Sequence, residues 1–120
     1  MKKHSGFHDY VVHDALQDIH GVTSRAMFGG YGIYKNGLIF GIIINEKLYF
    51  KVDDSNKNDF ASRGMKPFRY TMPSGKPYEM SYWEVPEEIL ENREEMREWV
   101  ERAVTASRNT KRPKPKTKKA

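Results

Sequence analysis

At 120 residues, with 38% hydrophobic and 31% charged residues, the chain has the makings of one soluble domain with a modest core. It contains no cysteine, which excludes disulfides, thiolate metal sites and thiol nucleophiles, and suggests a cytoplasmic protein. No apolar run approaches the length of a membrane span, and no apolar stretch follows Met1-Lys2-Lys3 as a signal peptide would require.

The net charge of +5 is unevenly placed. Arg108, Lys111, Arg112, Lys114, Lys116, Lys118 and Lys119 are seven of the 21 basic residues and have no acidic neighbour after residue 107. Removing them leaves 14 basic against 16 acidic residues, so residues 1–107 are mildly acidic and the high pI belongs to the end of the chain. A basic footprint spread over the domain, as a dedicated nucleic-acid binder would carry, is missing.

In chain order, Phe7, Val11, Val12, Ala15, Leu16 and Ile19 form an apolar stripe at helical spacing, predicting a helix over residues 7–20. Ser5 would cap it and Gly21 would end it. A strand-rich region follows from Val22 to Val52. Asn36-Gly37 is a strong hairpin signal, and Asn45-Glu46 predicts a second turn. Leu48, Phe50 and Val52 alternate with Tyr49 and Lys51, giving a strand with one buried face. Leu38 to Ile44 is apolar at nearly every position, which predicts a central strand covered on both sides, or covered on one side by a partner subunit.

Asp53-Asp54-Ser55 offers caps for a short helix ending near Gly64. Two strands are expected next, carrying Phe68, Tyr70 and Met72, then Tyr78, Met80 and Tyr82, joined by a turn over residues 73–76. Pro86 starts a helical turn, and Asn92 with Glu95 resembles a capping box. The terminal helix presents Met96, Trp99, Val100, Ala103 and Val104 on one face and charges on the other. The order is an α+β fold, α-β-β-β-β-α-β-β-α, with helices on a mostly antiparallel sheet. Residues 1–107 form the domain, and residues 108–120 read as a disordered basic tail.

The blocks Ser24 to Tyr34, Leu48 to Asp53, Pro67 to Tyr70 and Met80-Ser81-Tyr82-Trp83-Glu84-Val85-Pro86 resemble the N-terminal domain of the TfoX/Sxy family of bacterial competence regulators. The resemblance implies an α+β fold and positive regulation of DNA-uptake genes with the cyclic-AMP receptor protein, and hence contact with the transcription machinery. Those regulators carry a second, helical domain, whereas a basic tail stands here. The family brings no catalytic residues with it.

Other candidate sites are weaker. Gly29-Gly30-Tyr31-Gly32 lacks the Lys-Ser or Lys-Thr pair of a phosphate loop and reads as a bulge or sharp bend. His4, His8, His13 and His20 crowd the first 20 residues, but His13 and His20 would stand ~10 Å apart along a helix, and neither cysteine nor a zincin glutamate accompanies them. No metal or cofactor is expected. Arg25, Asp53, Asp54, Glu79 and Glu84 form no acid–base set by spacing, so no catalytic residue is assigned. Tyr31, Tyr34, Tyr82 and Trp83 are candidates for an interface, because opposed rings on one strand require cover on both sides. The basic tail would attract nucleic acid without reading sequence. The expected function is a non-enzymatic adaptor acting through a protein partner. The alternatives are a ligand binder or enzyme with a groove between the sheet and the terminal helix, lined by Arg25 and the glycine block, or a homodimer joined through Leu38–Ile44.

Overall fold

The structure is a computed structural model that describes residues 3–27, 29–71 and 73–111. Its centre is a six-stranded antiparallel sheet: β1 (Val22–Met27), β2 (Gly30–Lys35), β3 (Leu38–Ile44), β4 (Lys47–Lys51), β5 (Pro67–Thr71) and β6 (Pro77–Glu84). The spatial order is β1-β2-β3-β4-β6-β5, so β6 slots between β4 and the outer strand β5.

The first four strands are a meander with two-residue turns. Asn36 and Gly37 adopt φ of 50° and 86°, and Asn45 and Glu46 adopt 53° and 62°. Positive φ at both central positions is the turn that matches strand twist, which is why these dipeptides predicted hairpins correctly. The glycine block turns the chain at Gly29 (φ 75°) between Met27 and Gly30.

The true bulge lies elsewhere. Ile33 pairs with Gly41 but Tyr34 pairs with Ile39, which leaves Phe40 as an extra residue in β3. The slip explains why Leu38–Ile44 defies simple alternation. Phe40 and Ile43 enter the core, while Ile39 and Ile42 share the opposite face with Tyr34 and Gly32.

One sheet face is covered. Helix α4 (Arg93–Lys111) lies against β3 and β4 and buries all five residues of the expected stripe, with Ala106 and Ser107 added. Asn92 Oδ1 accepts the Glu95 N–H at 3.0 Å, so the predicted cap forms. The short helices α2 (Lys57–Ala61) and α3 (Glu87–Leu90) complete the layer through Phe60 and Ile89. Phe60 meets Trp99 edge to face at 4.7 Å, and Phe40 meets Phe50 at 5.4 Å.

Three expectations need correction. The first helix, α1 (Lys3–Tyr10), begins before Ser5, so Ser5 is not its cap. It continues as a π-helical turn, Val11–Ala15, closed by Leu16 N–H to Val11 O at 2.9 Å, and stops well short of residue 20. The wider turn still points Val11, Ala15 and Leu16 into the core. Gly21 uses its φ of 80° to enter β1, not to end the helix. At the other end, α4 does not stop at Ser107 but carries Arg108 through Lys111. Arg112, Lys114, Lys116, Lys118 and Lys119 lie outside the described residues, as do Phe28 and Met72.

Candidate functional site

The second sheet face carries no helix among the described residues. Cross-strand partners share a face, so this face follows from the register. Arg25 faces Gly32, which faces Ile42, then Tyr49, then Glu84. A parallel row runs Thr23, Tyr34, Ile39, and beyond the bulge Lys51 and Tyr82. Gly30 and Gly32 contribute no side chains to it. A Cβ on Gly32 would stand 2.9 Å from Met27 Sδ and 3.2 Å from Ile39 Cδ1, so those two side chains lie across the space that glycine leaves.

The result is an apolar trough. A cavity of about 510 Å³ is lined by Met27, Tyr31, Ile39, Ile42, Ile44, Phe68, Met80 and Tyr82. Residues from β1 and from the β5–β6 hairpin at the other side of the sheet line the same space, so the sheet curls over it. Ile42 and Tyr82 are buried there yet do not belong to the helix-side core. Tyr49 adds an edge-to-face contact with Phe68 at 5.2 Å.

One end of the trough is cationic. Tyr34, Ile39, Lys51, Tyr82 and Ser107 line an adjoining recess, sharing Ile39 and Tyr82 with the trough. Lys51 Nζ sits 5.1 Å from the centroid of the Tyr82 ring, and the Arg25 guanidinium 5.8 Å from that of Tyr34. Burial lowers the Lys51 pKa from its ordinary value, and no carboxylate of the described residues pairs with it. Burial, followed by the nearby Tyr34, raises the Tyr82 phenol, and burial followed by Glu84 raises Tyr49. Ser107 donates its hydroxyl to the Ile39 carbonyl beside the bulge, fixing the end of α4 at this recess.

The four interface candidates divide. Tyr34 and Tyr82 belong to the open face. Trp83 points the other way, 6.4 Å from Phe60, so α2 supplies the cover it required. Tyr31 stacks on His8 at 3.9 Å, and His8 Nε2 lies 2.8 Å from Ser24 Oγ. His13 and His20 are both exposed, and His20 lies in the turn beyond Val11–Ala15, so the single helix expected to carry both does not form. Among the described residues no three His, Cys, Asp or Glu side chains stand together as a metal-ligand group.

Among the described side chains the carboxylates do not converge. Asp53 Oδ1 accepts the Ser55 N–H and hydroxyl at 2.8 and 2.6 Å, and Oδ2 accepts from Asn109 at 3.1 Å. Burial pushes its pKa up, but these bonds from Ser55 and Asn109, with the Ser55 and Asn56 amides, outweigh it and hold the group below its usual value. Arg25 and Glu84 lie four strands apart, about 19 Å at ordinary strand spacing. The expected groove between sheet and terminal helix is filled by Met96, Trp99 and Val100; the open space is on the opposite face. A shallower hollow of about 750 Å³ at the Gly29-Gly30 and Asn45-Glu46 turns is lined by Tyr31 and Glu46 as its ionisable residues.

Lys51 was not singled out from sequence, and Ile39, Ile42 and Ile44 were expected only as part of a dimer seam through Leu38–Ile44. The signal was there: Lys51 alternates with buried Phe50 and Val52, so it had to share the face of Tyr49.

The model of the TfoX N-terminal domain matches residues 14–107. The chain belongs to the TfoX N-terminal domain family. No curated protein sequence matches it. The match spans β1 through most of α4, and the helices with the six-stranded sheet are the α+β architecture expected of it. No helix of the described residues is long and apolar enough to cross a membrane.

Proposed function

We propose that this TfoX N-terminal domain is a non-enzymatic regulatory or adaptor domain of the cytoplasm, whose working surface is the open sheet face. One observation carries the reading. Among the described residues, four helices cover one side of the sheet and leave the other apolar, aromatic and concave, with its charge confined to the Lys51 end and no acid–base pair set across the trough. Such a face recognises; it does not turn over a substrate. Family membership supports a competence-regulator-like role, with a protein partner engaging the face or its rim and the transcription machinery as the candidate.

The C-terminal basic residues add a nonspecific attraction to nucleic acid. Arg108 and Lys111 ride on α4, and the remaining five follow it. Two measurements test the two parts. Cross-linking capture from cell extract with the full chain should recover a defined protein that the Ile42→Arg variant loses at unchanged circular dichroism; identical captures would overturn the contact role. A chain ending at Lys111 should bind duplex DNA about tenfold or more weakly than the full chain at ~50 mM salt, and the gap should close as salt rises. Equal binding would remove the tail from the account.

A further inference from the structure

We propose that the trough is a binding site for an amphipathic carboxylate, a small molecule whose apolar chain lies along Ile39, Ile42 and Ile44 and whose anionic head meets Lys51. The proposal rests on the reading that the open sheet face is the working surface, and it names what fills the centre of that face.

The volume comes first. About 510 Å³ is the size of a small-molecule site, and the lining is apolar except at one end, the usual division between affinity and orientation. The length of the trough runs from Met27 and Ile44 toward Tyr82, and Ile39 and Tyr82 lead from it into the recess that holds Lys51. An apolar tail and a charged head would thus meet separate, adjoining environments.

Charge decides the sign of the head. Lys51 is half-buried, its ammonium lies against the Tyr82 ring, and the described carboxylates leave it unpaired. A partly desolvated cation gains most from an anion that arrives with its own apolar cover. Arg25 lies on the same face beside Tyr34, and Arg108 follows Ser107, which itself lines the recess. Glu84, the acidic residue of this face, sits in the neighbouring row with Tyr49, away from the recess lining.

A second copy of the chain fits less well. Six strands at ~4.8 Å spacing and about six residues in length project a flat face of roughly 570 Å², a modest footprint for a self-complementary contact. The concave centre reduces flat contact further, and two such faces would bring Lys51 and Arg25 toward their own kind.

The test uses the full chain with methyl-labelled methionine and decanoate as the probe. Decanoate should shift the Met27 and Met80 methyls saturably and leave Met96, buried under α4 on the other face, unmoved. Lys51→Met should weaken decanoate about tenfold while leaving uncharged decanol unchanged. Gly32→Ala, whose added methyl presses Met27 and Ile39 into the trough, should weaken both probes; it meets only flexible side-chain ends, so the fold survives. The proposal is overturned if Met96 shifts together with Met27 and Met80, or if Lys51→Met binds decanoate as the parent does. It is equally overturned if the free chain sediments at twice 14.0 kDa and Ile42→Arg returns it to monomer. Absent decanoate binding with a protein capture still lost in Ile42→Arg would sink the ligand and leave the regulatory reading intact.

Discussion

Gly30 and Gly32 occupy the same strand face two residues apart, yet a methyl group meets different things at each. At Gly30 the new Cβ would stand 2.1 Å from the Ile43 carbonyl oxygen, which is backbone in a central strand and cannot move aside. At Gly32 it meets the ends of Met27 and Ile39. Gly30→Ala should therefore cost about 2–3 kcal/mol in urea denaturation, and Gly32→Ala less than about 1 kcal/mol. Asp53 offers a second residue-scale test. Its folded pKa is held below the ordinary value, so its carboxylate adds stability in full above the usual carboxylate range. That contribution is lost as pH falls through this range toward the lowered value. Asp53→Asn should be less stable than the parent near pH ~7, and the difference should shrink toward zero near pH ~3. Lys51 works in the opposite sense: burial disfavours its charge, so Lys51→Met should raise the urea midpoint at neutral pH. A residue that weakens the fold while facing an apolar trough is what a binding role explains and a packing role does not.

Among the elements, α4 contributes most to the core. Its spacing of Met96, Trp99, Val100, Ala103 and Val104 could be read from the sequence because helical periodicity is local information. Trp99 fills the space between Phe60 and the Arg63 guanidinium, which lies 5.4 Å from its ring centroid. Trp99→Ala should cost about 3–5 kcal/mol, whereas Asn92→Ala, removing only the cap, should cost about 1 kcal/mol by thermal or urea unfolding. The exposed Arg63–Glu88 and Arg102–Asp59 pairs, at 2.9 and 3.2 Å, should each contribute under about 1 kcal/mol. Strand β3 behaved differently. Its apolar run gave no period because the extra residue Phe40 changes the phase midway, and only pairing with β2 reveals where the slip falls. The end of the first helix was hidden for a related reason: a π turn keeps Val11, Ala15 and Leu16 in the stripe while the helix is already closing.

At the scale of the molecule, one layer of helices protects one face of the sheet. Hydrogen exchange should accordingly be slowest in β3, β4 and the middle of α4, and fastest in the edge strands β1 and β5, each of which is paired on one side only. Protection spread evenly across all six strands would mean that the open face is covered in solution. The sequence alone determined the α+β class, the two Asn-led turns, the stripe of α4 and the family, since each depends on neighbours within a few residues or on motif blocks. It could not determine which faces stay uncovered. Tyr34 and Tyr82 line the open face and Trp83 packs on Phe60, while Tyr31 meets His8 and also borders the trough, a division made by contacts between residues distant along the chain. Nor could it bring Lys51 to the end of a trough built from five other strands. That arrangement comes from strand order and sheet curl, which side-chain type and spacing do not encode locally.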